Sequence, residues 1–326
     1  MKAVLMDGFG GADVLYVGEA DKPRPGDGQV LIEVGATSVN RPDIVQRLGN
    51  YPPPPGESDI LGLEVAGTVA ELGPGVDSLA VGERVIALVG GGGYAQFATV
   101  HAVHVMRIPD AMTFEQAACI CETYITAYLN LFMIAGLTDG ETVLLHGGGG
   151  GVNTAGLHLC KALLPTSRVI VTASPGKVDR VRELGADLVI DYRSEDFAAA
   201  VHAYTKKAGC AVILDHIGGP YLEGNLRSLG VGGRLVLIGV MGGPKAEFNL
   251  ARLMVKRQRI VGSVLRPRPV AEKTAIINEF DRVVMPLFAA GTIAPLIHEV
   301  YPIERVADAH RAMESSSHFG KLVLAF

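Results

Sequence analysis

At 326 residues the chain is too long for one typical core and suits two domains. Hydrophobic residues make up 48% of it, enough to bury a large core and to exclude a disordered chain. A net charge of −5, spread along the sequence without a Lys/Arg cluster, argues against nucleic acid as the main partner.

The first residues, MKAVLMDGFGG, are too short in apolar character for a signal peptide. No stretch approaches about 20 uninterrupted apolar residues, so no membrane span is expected. Next comes a β-rich third, with Val- and Ile-rich segments at Gln29–Val39, Leu63–Ala70 and Arg84–Val89 separated by Gly and Pro. Strands without regular intervening helices predict an antiparallel, barrel-like unit. The pattern changes at Thr113, where Thr113-Phe-Glu-Gln116 has capping-box spacing and predicts a helix running, with a break, to Gly136. The four cysteines (Cys119, Cys121, Cys160 and Cys210) make no disulfide framework, so a reducing, cytoplasmic setting is the default.

Beyond Gly136 short apolar strands alternate with helices. The strands are Glu141–His146, Arg168–Thr172, Leu188–Asp191, Ala211–Asp215 and Gly233–Ile238, and the series predicts a parallel doubly wound sheet. Ser174 and Pro175 fit an N-cap and first helical position, and Gly185 fits the stop of that helix. A long helix over Val270–Ala290, a strand at Ile297–Tyr301, a helix at Glu304–Glu314 and a last strand at Lys321–Phe326 are expected to fold back onto the N-terminal part. The division is therefore 1–122 with 266–326, and 123–265.

The main chemical signal is His146–Gly156, HGGGGGVNTAG, between a buried-type strand and the amphipathic helix Val152–Leu164. Glycines let the backbone approach a pyrophosphate, and the helix N-terminus adds unpaired N–H groups and a positive dipole end. Gly149, Gly150, Gly151, Val152 and Asn153 are the candidate contacts. Asn153 stands where the usual pattern has its last glycine; it either loosens helix–strand packing or hydrogen-bonds a phosphate. The second strand ends Thr172-Ala173-Ser174-Pro175-Gly176-Lys177, without the acid that an NAD site uses on the ribose. Ser174 and Lys177 are donors suited to a 2′-phosphate, with Tyr192 and Arg193 able to close the same site. The expected cofactor is NADPH.

Asn40-Arg41-Pro42-Asp43, Leu61–Gly67 (LGLEVAG), Gly82–Val85 (GERV), the glycine loop, Asp215–Gly219 (DHIGG), Gly233–Gly239 (GRLVLIG) and Gly320–Leu324 (GKLVL) resemble medium-chain dehydrogenase/reductases over nearly the whole chain. Asn50–Gly56 (NYPPPPG) and Ser263–Arg266 (SVLR) resemble the zeta-crystallin-like NADPH:quinone oxidoreductases, especially the tumour-suppressor-inducible subgroup. The resemblance implies an α/β protein in which a Rossmann domain is inserted into a GroES-like β-barrel catalytic domain. It also implies a homodimer or homotetramer joined through the Rossmann domain, and an active site in the cleft between the domains. It places Asn40 and Thr126 near the nicotinamide, and Gly239, Val240, Met241 and Leu265 around its carboxamide and ring. Where zinc alcohol dehydrogenases have Cys and His–Glu, this sequence has Asn40 and Leu63-Glu64, and residues 90–112 hold no cysteine. No metal is expected; His101 and His104 read as polar residues around a strand, and Cys119 and Cys121 as core.

Hydride transfer to an electrophile such as a quinone or an enal needs little acid–base machinery beyond the cofactor. Tyr51 is either a substrate contact that donates a proton or an aromatic shaping the entrance on a polyproline loop. Arg41 either steers a polar substrate or pairs with Asp43 or Glu64. The function expected is zinc-free reduction of a quinone. The alternatives are an alkenal or enoyl reductase, and a zeta-crystallin-like structural or RNA-binding protein.

Overall fold

A computed structural model describes residues 1–326. The chain divides into two compact units, Met1–Ile125 with Arg266–Phe326, and Thr126–Leu265.

The first unit is built on the Gln29–Val39 strand, which pairs antiparallel with Glu64–Leu72, Phe97–His101 and Lys321–Ala325. Alternation along it serves two cores. Val30, Ile32 and Val34 pack with Val65, Val69, Val85 and Ala98, while Val39 packs with Ile44, Leu61, Tyr94, Met313, Leu322 and Leu324. The last strand of the chain thus completes the N-terminal sheet, with Ile297–Pro302 parallel beside it. The single helix expected over Val270–Ala290 is two, Val270–Val283 and Met285–Ala289. Pro286 is the reason: it lacks the N–H that would bond the Arg282 carbonyl, and its ring crowds that carbonyl, so a new helix starts with the proline in its first turn. The Arg41–Arg47 helix and the Lys2–Met6/Leu15–Glu19 hairpin lacked a clear periodicity in the sequence.

The capping box at Thr113 forms, with Gln116 N–H donating to Thr113 Oγ1 at 3.3 Å and Thr113 N–H to Gln116 Oε1 at 3.1 Å. The chain continues as helices Phe114–Ala117 and Cys121–Tyr128 and a π-helical stretch Leu129–Ile134. By length and composition alone Phe114–Ile134 is long and apolar enough to cross a bilayer, although Glu115, Gln116 and Glu122 interrupt it. Most of it is buried in the protein, as a core helix is.

The second unit holds a six-stranded sheet, parallel throughout. Its strands, in sequence order, are Thr142–His146, Arg168–Ala173, Leu188–Asp191, Cys210–Asp215, Leu229–Leu237 and Arg259–Gly262. They lie in the sheet in the order third, second, first, fourth, fifth, sixth. The connections reverse direction between Thr142–His146 and Cys210–Asp215, and that is where such sheets open a crevice at their carboxyl ends. Leu144, Ile170, Ile190, Ile213 and Leu235 come from five neighbouring strands and form one buried cluster with Val201 and Leu226 of the covering helices. The fifth strand begins at Leu229, not Gly233, because its glycine-rich start hides the strand signal.

Candidate functional site

In the second unit the Gly151–Leu163 helix starts directly after the glycine loop, with Gly150 as its N-cap in extended conformation. Three of the loop glycines lie close against neighbours. A Cβ on Gly147, which has φ +82°, would lie 2.7 Å from the His216 ring. On Gly148 it would lie 2.5 Å from Val171, and on Gly149 2.5 Å from Lys177 Cδ and 3.0 Å from its Nζ. Lys177 therefore lies over the loop itself, and burial lowers its pKa. Ser174 precedes the short turn Pro175–Lys177 and makes no capping bond with its side chain. The Tyr192 N–H donates to Ala173 O at 3.3 Å, which fixes that exposed tyrosine beside the end of the second strand. The structure thus brings Gly149, Ser174, Lys177 and Tyr192 to one place.

Asn153 is buried, its Nδ2 donates to Gly147 O at 3.1 Å, and its Oδ1 is buried without a partner. This bond ties the Asn153 amide back to the start of the loop.

A polar chain that sequence reasoning missed lies beneath the loop. His146 Nδ1 is 3.0 Å from Thr172 Oγ1, and its Nε2 is 2.7 Å from Asn225 Oδ1. Asn225 Nδ2 donates to Asp215 Oδ2 at 2.8 Å, and Asp215 Oδ1 accepts from the Ile217 and Gly218 N–H groups. Burial holds the His146 pKa down to about 4, so Nε2 carries the proton and Nδ1 accepts from Thr172. The chain joins the ends of the first, second and fourth strands. The Met241 N–H donates to His216 O at 3.0 Å, which brings Gly239–Met241 to the same end of the sheet. Leu265 is buried, Val240 and Met241 are exposed, and Thr126 accepts a bond from Asn130 Nδ2 at its carbonyl.

In the first unit Asn40 is the N-cap of the Arg41–Arg47 helix, with its N–H donating to Asp43 Oδ2 at 2.7 Å. Its side chain is committed inward. Nδ2 donates to Glu64 Oε1 (2.9 Å) and Ser38 O (3.3 Å), and Oδ1 accepts from Lys321 Nζ (2.5 Å). Lys321 also reaches Glu64 Oε1 at 3.1 Å, and both side chains are almost wholly buried. Ser38 Oγ and the Glu122 N–H complete the shell of Glu64. Asp43 is buried too; it accepts from the Gly62 N–H and the Tyr94 hydroxyl, and burial raises its pKa to about 6. Behind Tyr94, His310 and Arg47 continue the chain to Glu314.

Arg41 takes neither of its expected partners: it donates to Met313 O at 3.0 Å, because Asp43 and Glu64 are saturated by closer donors. Tyr51 is half-buried under the Arg266 guanidinium, 5.1 Å from its ring centroid. Arg266 Nε donates to Gly90 O at 2.8 Å, while Nη2 is buried with no partner. His101 and His104 stack edge to face, and His104 Nε2 meets Val270 O at 3.1 Å.

Two family models match the chain: the alcohol dehydrogenase GroES-like domain over residues 26–110 and zinc-binding dehydrogenase over residues 184–324. The rat synaptic vesicle membrane protein VAT-1 homolog is 31% identical over 99% of this chain and 84% of its own length. The chain belongs to the medium-chain dehydrogenase/reductase superfamily. Its first unit is the superfamily's GroES-like domain and its second the Rossmann-like one. The polyketide synthase GfsB of Streptomyces halstedii is 36% identical over 91% of this chain, which spans only 5% of that protein. Among superfamily structures, mycobacterial Rv1454c, solved complexed with NADPH, has a TM-score of 0.88 and 30% identity over the whole of both chains. A mycobacterial quinone oxidoreductase matches at TM-score 0.87 and 30% identity, also over both whole chains. The CurK enoyl reductase matches at TM-score 0.87 and 26% identity, over 99% of this chain and 98% of that one.

Proposed function

We propose that the chain is an NADPH-dependent, zinc-independent reductase of quinones or similar small electrophiles, of the zeta-crystallin-like kind. The observation that carries the cofactor choice is Lys177 lying over Gly149 beside Ser174 and Tyr192, at a strand end without an acid. These donors suit the extra phosphate of NADPH, and the glycine loop with its helix N-terminus suits the pyrophosphate. The NADPH complex of the mycobacterial relative supports the same choice. Bound there, NADPH supplies a hydride.

Zinc does not fit the donor set in the first unit. Leu63 offers no ligand, and the Lys321 ammonium stands 2.5 Å from Asn40 Oδ1 and 3.1 Å from Glu64 Oε1. A second cation among those atoms is repelled. We therefore read Asn40 and Glu64 as a scaffold closed by Lys321 and assign no step to a metal. The similarity to a quinone oxidoreductase favours quinones, and that to an enoyl reductase favours enals as the second reading.

The reading extends to assembly and setting. Leu250, Met254, Val255 and Val264 lie exposed close in sequence to the edge strand Arg259–Gly262, and they support a homodimer formed through the Rossmann-like unit. Four free, buried cysteines suit the cytoplasm.

The test is NADPH and NADH oxidation by chelator-treated protein against a panel of quinones and enals. NADPH-selective turnover of quinones supports the reading, and turnover of enals alone moves it to the second. Tight NADPH binding with no turnover on any acceptor overturns both.

A further inference from the structure

A cavity of about 430 Å³ lies within the GroES-like unit, in the size range of small-molecule sites. All the residues around it belong to Met1–Ile125 and Arg266–Phe326. Its walls come from the end of the polyproline loop, the glycine run Gly90–Gly92, the strand Phe97–His101 and the start of the Val270–Val283 helix. Val89, Ala98 and Val100 make part of the wall apolar, and Glu57, His101 and Lys273 make part of it polar.

A lysine one turn into a helix is ordinarily solvated, yet Lys273 is only 7% exposed. Its Nζ makes one hydrogen bond, a long one of 3.5 Å to Arg266 O, and no ion pair. A buried ammonium has three hydrogens to place and is costly without an opposite charge. Lys321, buried in the same unit, shows the usual solution, with Asn40 Oδ1 at 2.5 Å and Glu64 Oε1 at 3.1 Å. The histidines near Lys273 offer no such partner. Lys273 and His101 both act on His104, whose Nε2–H is spent on Val270 O at 3.1 Å. The His101 ring stacks edge to face on His104 and has no hydrogen-bond partner in the protein.

Glu57 is the opposite charge on the cavity wall. Its carboxyl lies against the bare backbone of Gly90, where a Cβ would stand 2.4 and 2.5 Å from the two oxygens. It accepts no hydrogen bond from the protein. Arg266 Nε binds Gly90 O at 2.8 Å and its guanidinium senses the Glu57 charge, but the two form no ion pair. The cavity thus presents one cation and one anion that are not paired with each other. A ligand with only a negative charge would meet Glu57, and one with only a positive charge would meet Lys273. A molecule carrying both charges and an apolar remainder complements all of the wall.

We propose that this cavity is a binding site for a free apolar α-amino acid, with its carboxylate on Lys273 and His101 and its ammonium on Glu57. The site belongs to the GroES-like unit alone and does not depend on the reductase reading.

The test is calorimetric titration of the full chain with L-leucine, L-methionine and L-phenylalanine, and with isocaproate and isoamylamine. The last two keep the branched chain of leucine and lack its amine or its carboxylate. Expected is saturable binding of at least one of the amino acids with a Kd of about 1 mM or below, and of neither fragment within about tenfold of it. Lys273→Met and Glu57→Gln should each weaken that binding about tenfold or more. Should Lys273→Met fail to fold, Glu57→Gln and the fragments decide. The site is overturned if none of the three amino acids binds, which leaves water to bridge the two charges, or if isocaproate binds as tightly as leucine. Wild-type affinity in either folded variant overturns it as well.

Discussion

Lys321 and Glu64 are 257 residues apart in sequence and 3.1 Å apart in space. Removing one partner leaves the other charged and buried, so Lys321→Met is expected to cost about 3–5 kcal/mol in urea unfolding. Adding Glu64→Gln should recover part of that loss. At the cofactor loop, Lys177→Ala should raise the NADPH dissociation constant by the worth of one charge-assisted bond, about 1.5–3 kcal/mol, and leave NADH little changed. Equal weakening of both cofactors in titration removes Lys177 from the 2′-phosphate role. The candidacies of Lys177 and Ser174 were legible because each sits at a fixed offset from the end of the second strand; that of Asn40 came only with the family resemblance. Lys321, Glu122 and Arg266 were not singled out for the site. Their meaning comes from partners far along the chain, and alone each reads as an ordinary surface charge.

At the scale of elements, the strand Thr142–His146 ends on a histidine that must stay neutral. Its folded pKa, about 4, lies below the ordinary 6.5, so the unfolded chain binds the proton first as pH falls. The resulting stability is full above about pH 6.5 and is lost on acidification towards about 4. For this fully buried group it amounts to about 3 kcal/mol. His310, held down to about 3 in the other unit, adds loss in the same direction. Urea melts at about pH 4.5 and 7.5 should show the drop, and His146→Gln should make the slope shallower. A slope unchanged in that variant assigns the acid sensitivity elsewhere. Gly148→Ala should lower the melting temperature, since its Cβ would meet Val171 at 2.5 Å and Val181 at 2.9 Å. Most strands of the Rossmann-like unit were legible because each is a short apolar run bounded by Gly or polar residues. The edge strand Arg259–Gly262 and the Leu250–Val255 helix were missed, as both are short and mostly exposed.

At the scale of the whole molecule, sheet order carries the functional argument. A parallel sheet ordered third, second, first, fourth, fifth, sixth puts the glycine loop at the switch point, where strand ends leave backbone groups open to a ligand. The exposed Met254 and Val255 lead to one further outcome. Sedimentation should show a dimer for wild type and monomer for Met254→Glu with Val255→Glu. A dimer that survives the pair places the interface elsewhere.

The sequence by itself determined the class of each unit, the glycine loop and the missing ribose acid, because these depend on periodicity and local spacing. Tertiary structure alone decided what the polar side chains do. It tied Asn153 to Gly147, sent Arg41 to Met313, tied Asn40 to Lys321, and left Arg266 Nη2 buried without a partner. The physical reason is that a buried polar group takes its role from whichever donors and acceptors the fold brings within about 3 Å, and sequence distance has no part in that.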